Sequence, residues 1–337
     1  MNQKQIILTG ITPTGMPHLG NYLGAFKPAL EYQEQANIEA LYFVADGHSL
    51  VKLWDPKLRA QYILEVAATW LALGLDPDRV IFYRQTDVPE TFELAWILTS
   101  VTAKGLMNRA HGYKDQVAKN AEAGETDMDH GITMGLFCYP ILMSADILLF
   151  NPHQVPVGKD QTQHLEMARD IAARFNHLYG DTFRLPEAKI DADTAILPGL
   201  DGRKMSKSYQ NTIPLFVDSA QLRKLVMKIK TNSLMPGEPK DPEGCTLFAI
   251  YKSLATPEQT AALKQAYQNG ISWGEAKQLV FEFLDTHLTP AREKFAYYIS
   301  HPDEVEAILQ KGAARARAKA APFLQEIKAK AGFRIRQ

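Results

Sequence analysis

Along the first hundred residues, short continuous apolar runs alternate with stretches of helical spacing. "QIILTG" (5–10) is a buried-strand pattern ending in Gly10, and "TPTGMPHLGN" (12–21) is a Pro/Gly turn that leads into the periodic "NYLGAFKPALEYQEQ". "EALYFVAD" predicts a second strand, "KLRAQYILEVAATWLALGL" a second helix, "RVIFYRQ" a third strand and "ETFELAWILTSV" a third helix. Strands and helices that alternate in this way specify a parallel sheet with helices on both faces. Ligands in such sheets bind at the carboxyl ends of the strands. Gly10, Asp46 and Gln85 fall near those ends.

Farther on, "KNAEAGETDMDHG" (119–131) is polar and reads as a mobile loop between helical segments. "HQVPV" predicts a short strand and "QTQHLEMARDIAARFNHLYG" a long helix. After "GLDGRKMSKSYQNT" the strand pattern stops, and the rest is helical, broken by "MPGEPKDPEG". The expected architecture is therefore α/β, a Rossmann-like parallel-sheet domain over 1–214 followed by an all-helical domain over 215–337.

In "YPILMSADILLF" (139–150) helical spacing puts Tyr139, Leu142, Met143, Asp146, Leu149 and Phe150 on one stripe. The opposite stripe, Ile141, Ser144, Ala145 and Leu148, is no water face either. A carboxylate in such surroundings needs a donor. Read alone, Asp146 is either a helix-end Asp reaching water or an Arg, or an acceptor waiting for a donor carried by a ligand.

Bulk composition narrows the classes without choosing among them. The 337 residues are 46% hydrophobic and 22% charged, with a formal net charge of -1. Charge is uneven: 215–337 hold 18 Lys+Arg against 13 Asp+Glu, and the last 27 residues hold eight basic side chains against Glu326. That is a modest basic footprint, equally available to nucleic acid or to a basic amphipathic helix. Two cysteines, Cys138 and Cys245, make no disulfide framework and no cysteine-rich metal site. No apolar run approaches the ~20 residues of a membrane span, and no signal-peptide pattern opens the chain, so a cytoplasmic protein is expected.

Three short motifs can carry chemistry. "PHLGN" (17–21) sits at a strand–turn–helix junction, where free N–H groups favour phosphate. Gly20 lets a base or sugar approach, and His18 and Asn21 share a face. Read alone, it is also a helix cap with a surface histidine. "KMSKS" (204–208) offers two lysines three apart, a cation clamp suited to a leaving pyrophosphate, or a plain charged loop. "PVGKDQ" (156–161) precedes a helix; Asp160 and Gln161 suit a ribose hydroxyl and an amino group, or an N-cap and first turn. No Walker-type phosphate loop is present.

In this order, the HIGH-like turn, the GxDQ turn and KMSKS resemble the class I aminoacyl-tRNA synthetases, and most closely the bacterial-type tryptophanyl-tRNA synthetases. The resemblance runs from about Ile6 to Asn211. Its most specific piece is "MSADIL" (143–148), similar to the Met-x-Ala-Asp-Ile-Leu helix on which that family's Asp meets the indole N–H. The resemblance implies ATP-dependent activation of L-tryptophan and its transfer to tRNA(Trp), with Mg²⁺ beside ATP and a homodimeric protein. Lys204, Lys207 and His18 would be catalytic. Thr12, Pro13, Thr14, Gly20, Asn21, Gly158, Lys159, Asp160, Leu197, Met205, Ser206 and Ser208 would join the two lysines around ATP. Asp146, Met143, Tyr139, Gln161, His48, Leu8 and Val157 would form the tryptophan slot. Arg109, Tyr113 and Lys114 would touch tRNA, and the helices around 90–107 would supply the dimer interface.

The chain departs from the family pattern in places. "TPTG" stands for Gln-Pro-Ser-Gly, His18 for a common Thr, Lys159 for a frequent acid, and "YQN" follows the lysine loop where Asp-Pro is common. Rival readings are a tyrosyl enzyme of the same subclass, a non-catalytic tryptophan- or tRNA-binding paralogue, and a small nucleotidyltransferase with a similar turn.

Overall fold

The computed structural model describes residues 4–156, 158, 161–189 and 197–333. Five parallel strands, β1 (Gln5–Ile11), β2 (Ile38–Val44), β3 (Ile81–Arg84), β4 (Gln154–Pro156) and β5 (Glu187–Lys189), form one sheet in the order β3-β2-β1-β4-β5. The chain winds outward from β1 to β3, then crosses to the other side of β1. The switch point lies between β1 and β4, where a crevice opens at the carboxyl edge. The α/β, Rossmann-like expectation holds. The three-residue β5 has no pattern long enough to read from sequence.

The principal helices are α1 (Lys27–Gln33), α2 (Pro56–Ala72), α3 (Glu90–Val101), α4 (His111–Glu122), α5 (Met134–Leu148), α6 (Thr162–Tyr179), α7 (Ser219–Met227), α8 (Thr246–Lys252), α9 (Pro257–Gln268), α10 (Trp273–Ser300) and α11 (Pro302–Lys330). Alternation along the strands sorts the core. Leu8, Leu41, Phe43, Ile81 and Tyr83 face one side, with residues of α3, α5 and α6. Ile7, Ala40, Tyr42, Val44 and Phe82 face the other, with residues of α1 and α2. Both faces are buried, which is why these strands read as continuous apolar runs.

Helix α4 runs to Glu122, so the expected loop at 119–131 begins later than its polarity suggests. Asn120 then ties the loop down, its Nδ2 donating to the carbonyls of Met128 and His130, each at 2.8 Å.

A further core joins Leu19, Ala68, Leu197 and Met205 to apolar residues of α7 through α10. The last helix returns to the sheet. Helix α11 crosses β3, placing Val305 and Leu309 in one face's core and Ala313, Ala316, Ala320 and Leu324 in the other's. This covers an edge strand that would otherwise be open for pairing. Gly312 marks the closest approach: a Cβ there would lie 1.6 Å from the Phe82 carbonyl oxygen.

The basic footprint at the chain's end finds partners inside the molecule. Lys311 pairs with Asp78 at 2.7 Å, Arg317 with Glu90 at 3.1 Å and Lys319 with Glu39 at 3.0 Å. Arg315 donates to the carbonyls of Pro77 and Val80, Lys328 to Glu93 and Lys330 to the carbonyl of Asp181. These six cations dock α11 on the sheet domain. Arg334 and Arg336 lie outside the described residues.

Candidate active site

After β1 the chain turns through Thr12–Gly15, and Gly15 adopts φ +102, a conformation that favours glycine. The one-turn helix Leu19–Asn21 follows, capped reciprocally: Asn21 N donates to His18 Nδ1 at 3.3 Å, and His18 N to Asn21 Oδ1 at 3.0 Å. An accepting Nδ1 puts the ring proton of neutral His18 on Nε2. Burial, and then the charge of Lys207, lowers the His18 pKa to about 4. His18 is thus an uncharged donor at neutral pH. The cap reading of "PHLGN" is realised, and it leaves His18 Nε2 as a donor.

The lysine loop closes over this turn. Leu19 N donates to Ile213 O at 2.9 Å and Leu215 N to Pro17 O at 3.1 Å, so the segment after the loop is seated against the HLGN turn. Lys207 Nζ donates to the carbonyls of Thr14 and Gly15 at 3.1 and 3.0 Å. Burial lowers the Lys207 pKa, and Glu65 opposes the shift. Thr12, Thr14, His18, Asn21, Ser206 and Lys207 line one cavity of about 230 Å³. That is smaller than the ~300–1,000 Å³ common for ligand clefts. Lys207 occupies carbonyls that the turn would otherwise present to solvent or ligand.

Asn211, to which the sequence reading gave no role, staples the loop. Its Nδ2 donates to Asp201 Oδ1 at 2.7 Å and to Lys204 O at 3.1 Å, and its Oδ1 accepts from Ser206 N at 2.8 Å. Ser208 N donates to Ser206 Oγ at 3.3 Å. Lys204 is exposed. Met205 differs from expectation: its side chain is buried in the core beside Leu19, so only its backbone faces the loop, donating to Leu197 O at 2.9 Å. Pro13 is buried behind the turn and Gly20 is half-buried.

The second group gathers on α5. Thr133 caps the helix through Leu136 N, and Ser144 Oγ donates to the carbonyl of the internal Pro140 at 2.7 Å. Asp146 is 3% exposed. Expected to wait for a ligand's donor, it already has two from the protein. His48 Nε2 lies 2.9 Å from its Oδ2, and Gln85 Nε2 donates to its Oδ1 at 2.7 Å. An ionised carboxylate has no proton to give, so both nitrogens donate. Burial raises the Asp146 pKa, and the bonds from His48 and Gln85 oppose that rise. The reason for the difference is placement: His48 follows β2 and Gln85 follows β3, and the sheet brings both strand ends to α5.

Met143 is half-buried, one turn back on the same helix, and Leu8 is buried in the sheet core. The Tyr139 hydroxyl lies 2.6 Å from Nε2 of His164, a buried α6 residue that sequence reasoning passed over in "QTQHLEM". Gln161 is half-buried and its backbone N donates to Gly158 O at 2.9 Å. Val157, Lys159 and Asp160 lie outside the described residues.

Arg109 and Lys114 are exposed near α4. The Tyr113 hydroxyl donates to Asp129 at 2.8 Å, tying α4 to the loop beyond it. Among the described residues no group of three or more His, Cys, Asp or Glu stands where a metal ion could be held, and no helix is long and apolar enough to cross a membrane.

The comparisons agree with this geometry. The family described as tRNA synthetases class I (W and Y) matches residues 1–289. A tryptophan–tRNA ligase of Xanthomonas axonopodis is 57% identical over 97% of this chain and 76% of its own length. One from Pseudomonas aeruginosa is 56% identical over 97% and 74%. A tryptophanyl-tRNA synthetase from Campylobacter jejuni, crystallised with ADP and tryptophan, superposes with TM-score 0.88 at 41% identity, covering 97% of this chain and 99% of that one. An archaeal tyrosyl enzyme shares the fold alone, at 19% identity and TM-score 0.63. The chain belongs to the class I tRNA synthetases for tryptophan and tyrosine, and within them to the tryptophan–tRNA ligases.

Proposed function

We infer that this chain activates L-tryptophan with ATP and transfers it to tRNA(Trp), using the cavity at the carboxyl edge of β1 and the Asp146 cluster beside it. The carrying observation is the buried Asp146 acceptor on a tryptophan-type helix. Tryptophan's ring has one polar atom, a donor. A phenol would need a donor and an acceptor. In the first step a tryptophan carboxylate oxygen bonds to the α-phosphorus of ATP as the bond to the β-phosphate breaks, and pyrophosphate leaves. In the second, a hydroxyl of the terminal adenosine of tRNA attacks the acyl carbon and AMP leaves. No protein nucleophile is required; positioning and charge stabilisation do the work.

Lys207 and Lys204 meet the charge that builds on the leaving pyrophosphate, Lys207 after leaving the carbonyls of Thr14 and Gly15. His18 donates to the phosphates from Nε2 as a neutral group. Thr12, Thr14, Asn21 and Ser206 line the ATP cavity, while the family resemblance assigns Gly158, Asp160 and the Leu197 backbone to the adenosine. Tyr139 and Gln161 hold the ammonium and carboxylate of tryptophan. The described residues form no carboxylate cage for Mg²⁺. Mg²⁺ would accompany the phosphates of ATP, and no step here runs through it.

The helical segment 215–337 serves tRNA anticodon recognition, and Arg109 and Lys114 the acceptor end. Exposed Trp96 (71%) and Phe92 (38%) support a homodimer interface on α3. The protein works in the cytoplasm, where its tRNA substrate is. The test is charging of a tRNA(Trp) transcript with labelled tryptophan. Charging is expected; charging of tRNA(Tyr) with tyrosine instead would contradict the reading.

A further inference from the structure

We propose that Gln85 is a positioning residue for tryptophan selection: its amide holds Asp146 as an open acceptor for the indole N–H. The proposal rests on the assignment of Asp146 to the indole made above. Gln85 is fully buried where β3 ends in the single turn Gln85–Asp87. Its backbone is fixed by Val88 N, which donates to Gln85 O at 3.0 Å. Its neighbours are fixed too. Thr86 donates to Asp46 from N at 3.1 Å and from Oγ1 at 2.6 Å. Arg84 is held by Asp87 and by Glu306 of α11, each at 2.9 Å.

The amide can face only one way. Asp146 accepts, so Nε2 must point at it, across 2.7 Å. Oε1 is then left buried without a hydrogen-bond partner. It points toward Gly47, where a Cβ would lie 2.8 Å from it. A buried orphan acceptor is unfavourable. What accompanies it here is the donor bond to the carboxylate.

With Gln85 on Oδ1 and His48 on Oδ2, each oxygen keeps a second acceptor site for a ring N–H. The other ionisable group facing Asp146 is Tyr83 of β3, whose phenol pKa is raised by burial and then by the Asp146 charge. Loss of the Gln85 donor leaves a buried charge less well held, so Asp146 takes a proton at higher pH. Protonation turns one oxygen into a donor and leaves the indole N–H only a neutral, weaker acceptor.

The test is ATP–pyrophosphate exchange by the full chain from pH 6 to 9. Tryptophan is compared with its benzothiophene analogue, which lacks the N–H. Gln85→Met, similar in shape without the donor, is expected to lose about tenfold or more of the preference for tryptophan. Its KM for tryptophan should start to rise at a higher pH than in wild type as pH is lowered, with kcat changing less than KM. Gln85→Glu should regain the preference as pH falls, because one proton shared with Asp146 restores an O–H donor. Wild-type preference and pH profile in folded Gln85→Met would overturn the proposal. So would a Gln85→Glu preference that does not recover at low pH, a readout that stands even if the Met variant fails to fold. A wild type that does not prefer tryptophan to the analogue would instead overturn the assignment of Asp146.

Discussion

The imidazole of His48 and the carboxylate of Asp146, 98 residues apart in sequence, lie 2.9 Å apart across the mouth of the sheet. Asp146 is therefore oriented by the protein's own side chains. Asp146→Ala removes the proposed acceptor for the indole and the partner of both His48 and Gln85. A site that receives a polar group rejects analogues lacking it by roughly 10⁴–10⁵. The variant should lose most of its discrimination between tryptophan and phenylalanine in pyrophosphate exchange, with the KM for ATP within about threefold of wild type. Intact discrimination would contradict the assignment.

Lys207 rests on the carbonyls of Thr14 and Gly15. In the proposed function its role begins when phosphate charge develops. Lys207→Ala should lower kcat for activation about 10²-fold while raising the KM for tryptophan less than about threefold. Single-turnover adenylate formation measures this directly. An equal loss in both parameters would indicate a ground-state or folding role.

His18 gives a pH signature. Its folded pKa of about 4 lies below the ordinary 6.5. Above pH 6.5 both states are neutral and the group contributes no pH dependence. As pH falls from 6.5 toward 4, the unfolded chain binds a proton that the folded chain does not, so stability falls. Urea unfolding of wild type and His18→Gln should show wild type losing more stability than the variant between pH 7 and 4.5. Parallel pH profiles would mean that His18 is not held neutral.

Much of this was legible in the sequence because it rests on short-range pattern. Strands β1 to β3 are buried on both faces, so their apolar runs stand out, and α3 was bounded correctly by its spacing. Asp146 was visible as an anomaly, a carboxylate on a helix with no water face. Its partners were not. His48 and Gln85 reach it only because parallel strands place their ends together, and no local pattern encodes that. The partners of the basic tail were hidden for the same reason. Its six docked cations meet Asp78, Glu90, Glu39, Glu93 and carbonyls that are distant in sequence. Asn211 and His164 look like ordinary polar residues until the loop and α6 are in place.

Gly312 carries a prediction about stability. Any side chain there meets the Phe82 carbonyl, and helix α11 must shift off β3. Gly312→Val should destabilise by about 3 kcal/mol or more, well beyond an ordinary helix substitution, which on propensity alone would be neutral or stabilising. The urea midpoint reads this. A change under about 0.5 kcal/mol would mean that the approach of helix to strand is looser than described.

Trp96 is 71% exposed on α3. Placing a charge at the centre of an apolar interface is unfavourable. With the proposed homodimer formed through α3, wild type should sediment as a dimer and Trp96→Glu as a monomer at micromolar concentration. An unchanged sedimentation coefficient would place the interface elsewhere.

The most direct measurement is ATP–pyrophosphate exchange with each of the twenty amino acids in turn, without tRNA. The account predicts exchange dependent on tryptophan alone. Exchange with tyrosine would keep the fold and chemistry but contradict the Asp146 pocket. Folded protein that binds tryptophan and exchanges with no amino acid would contradict activation itself.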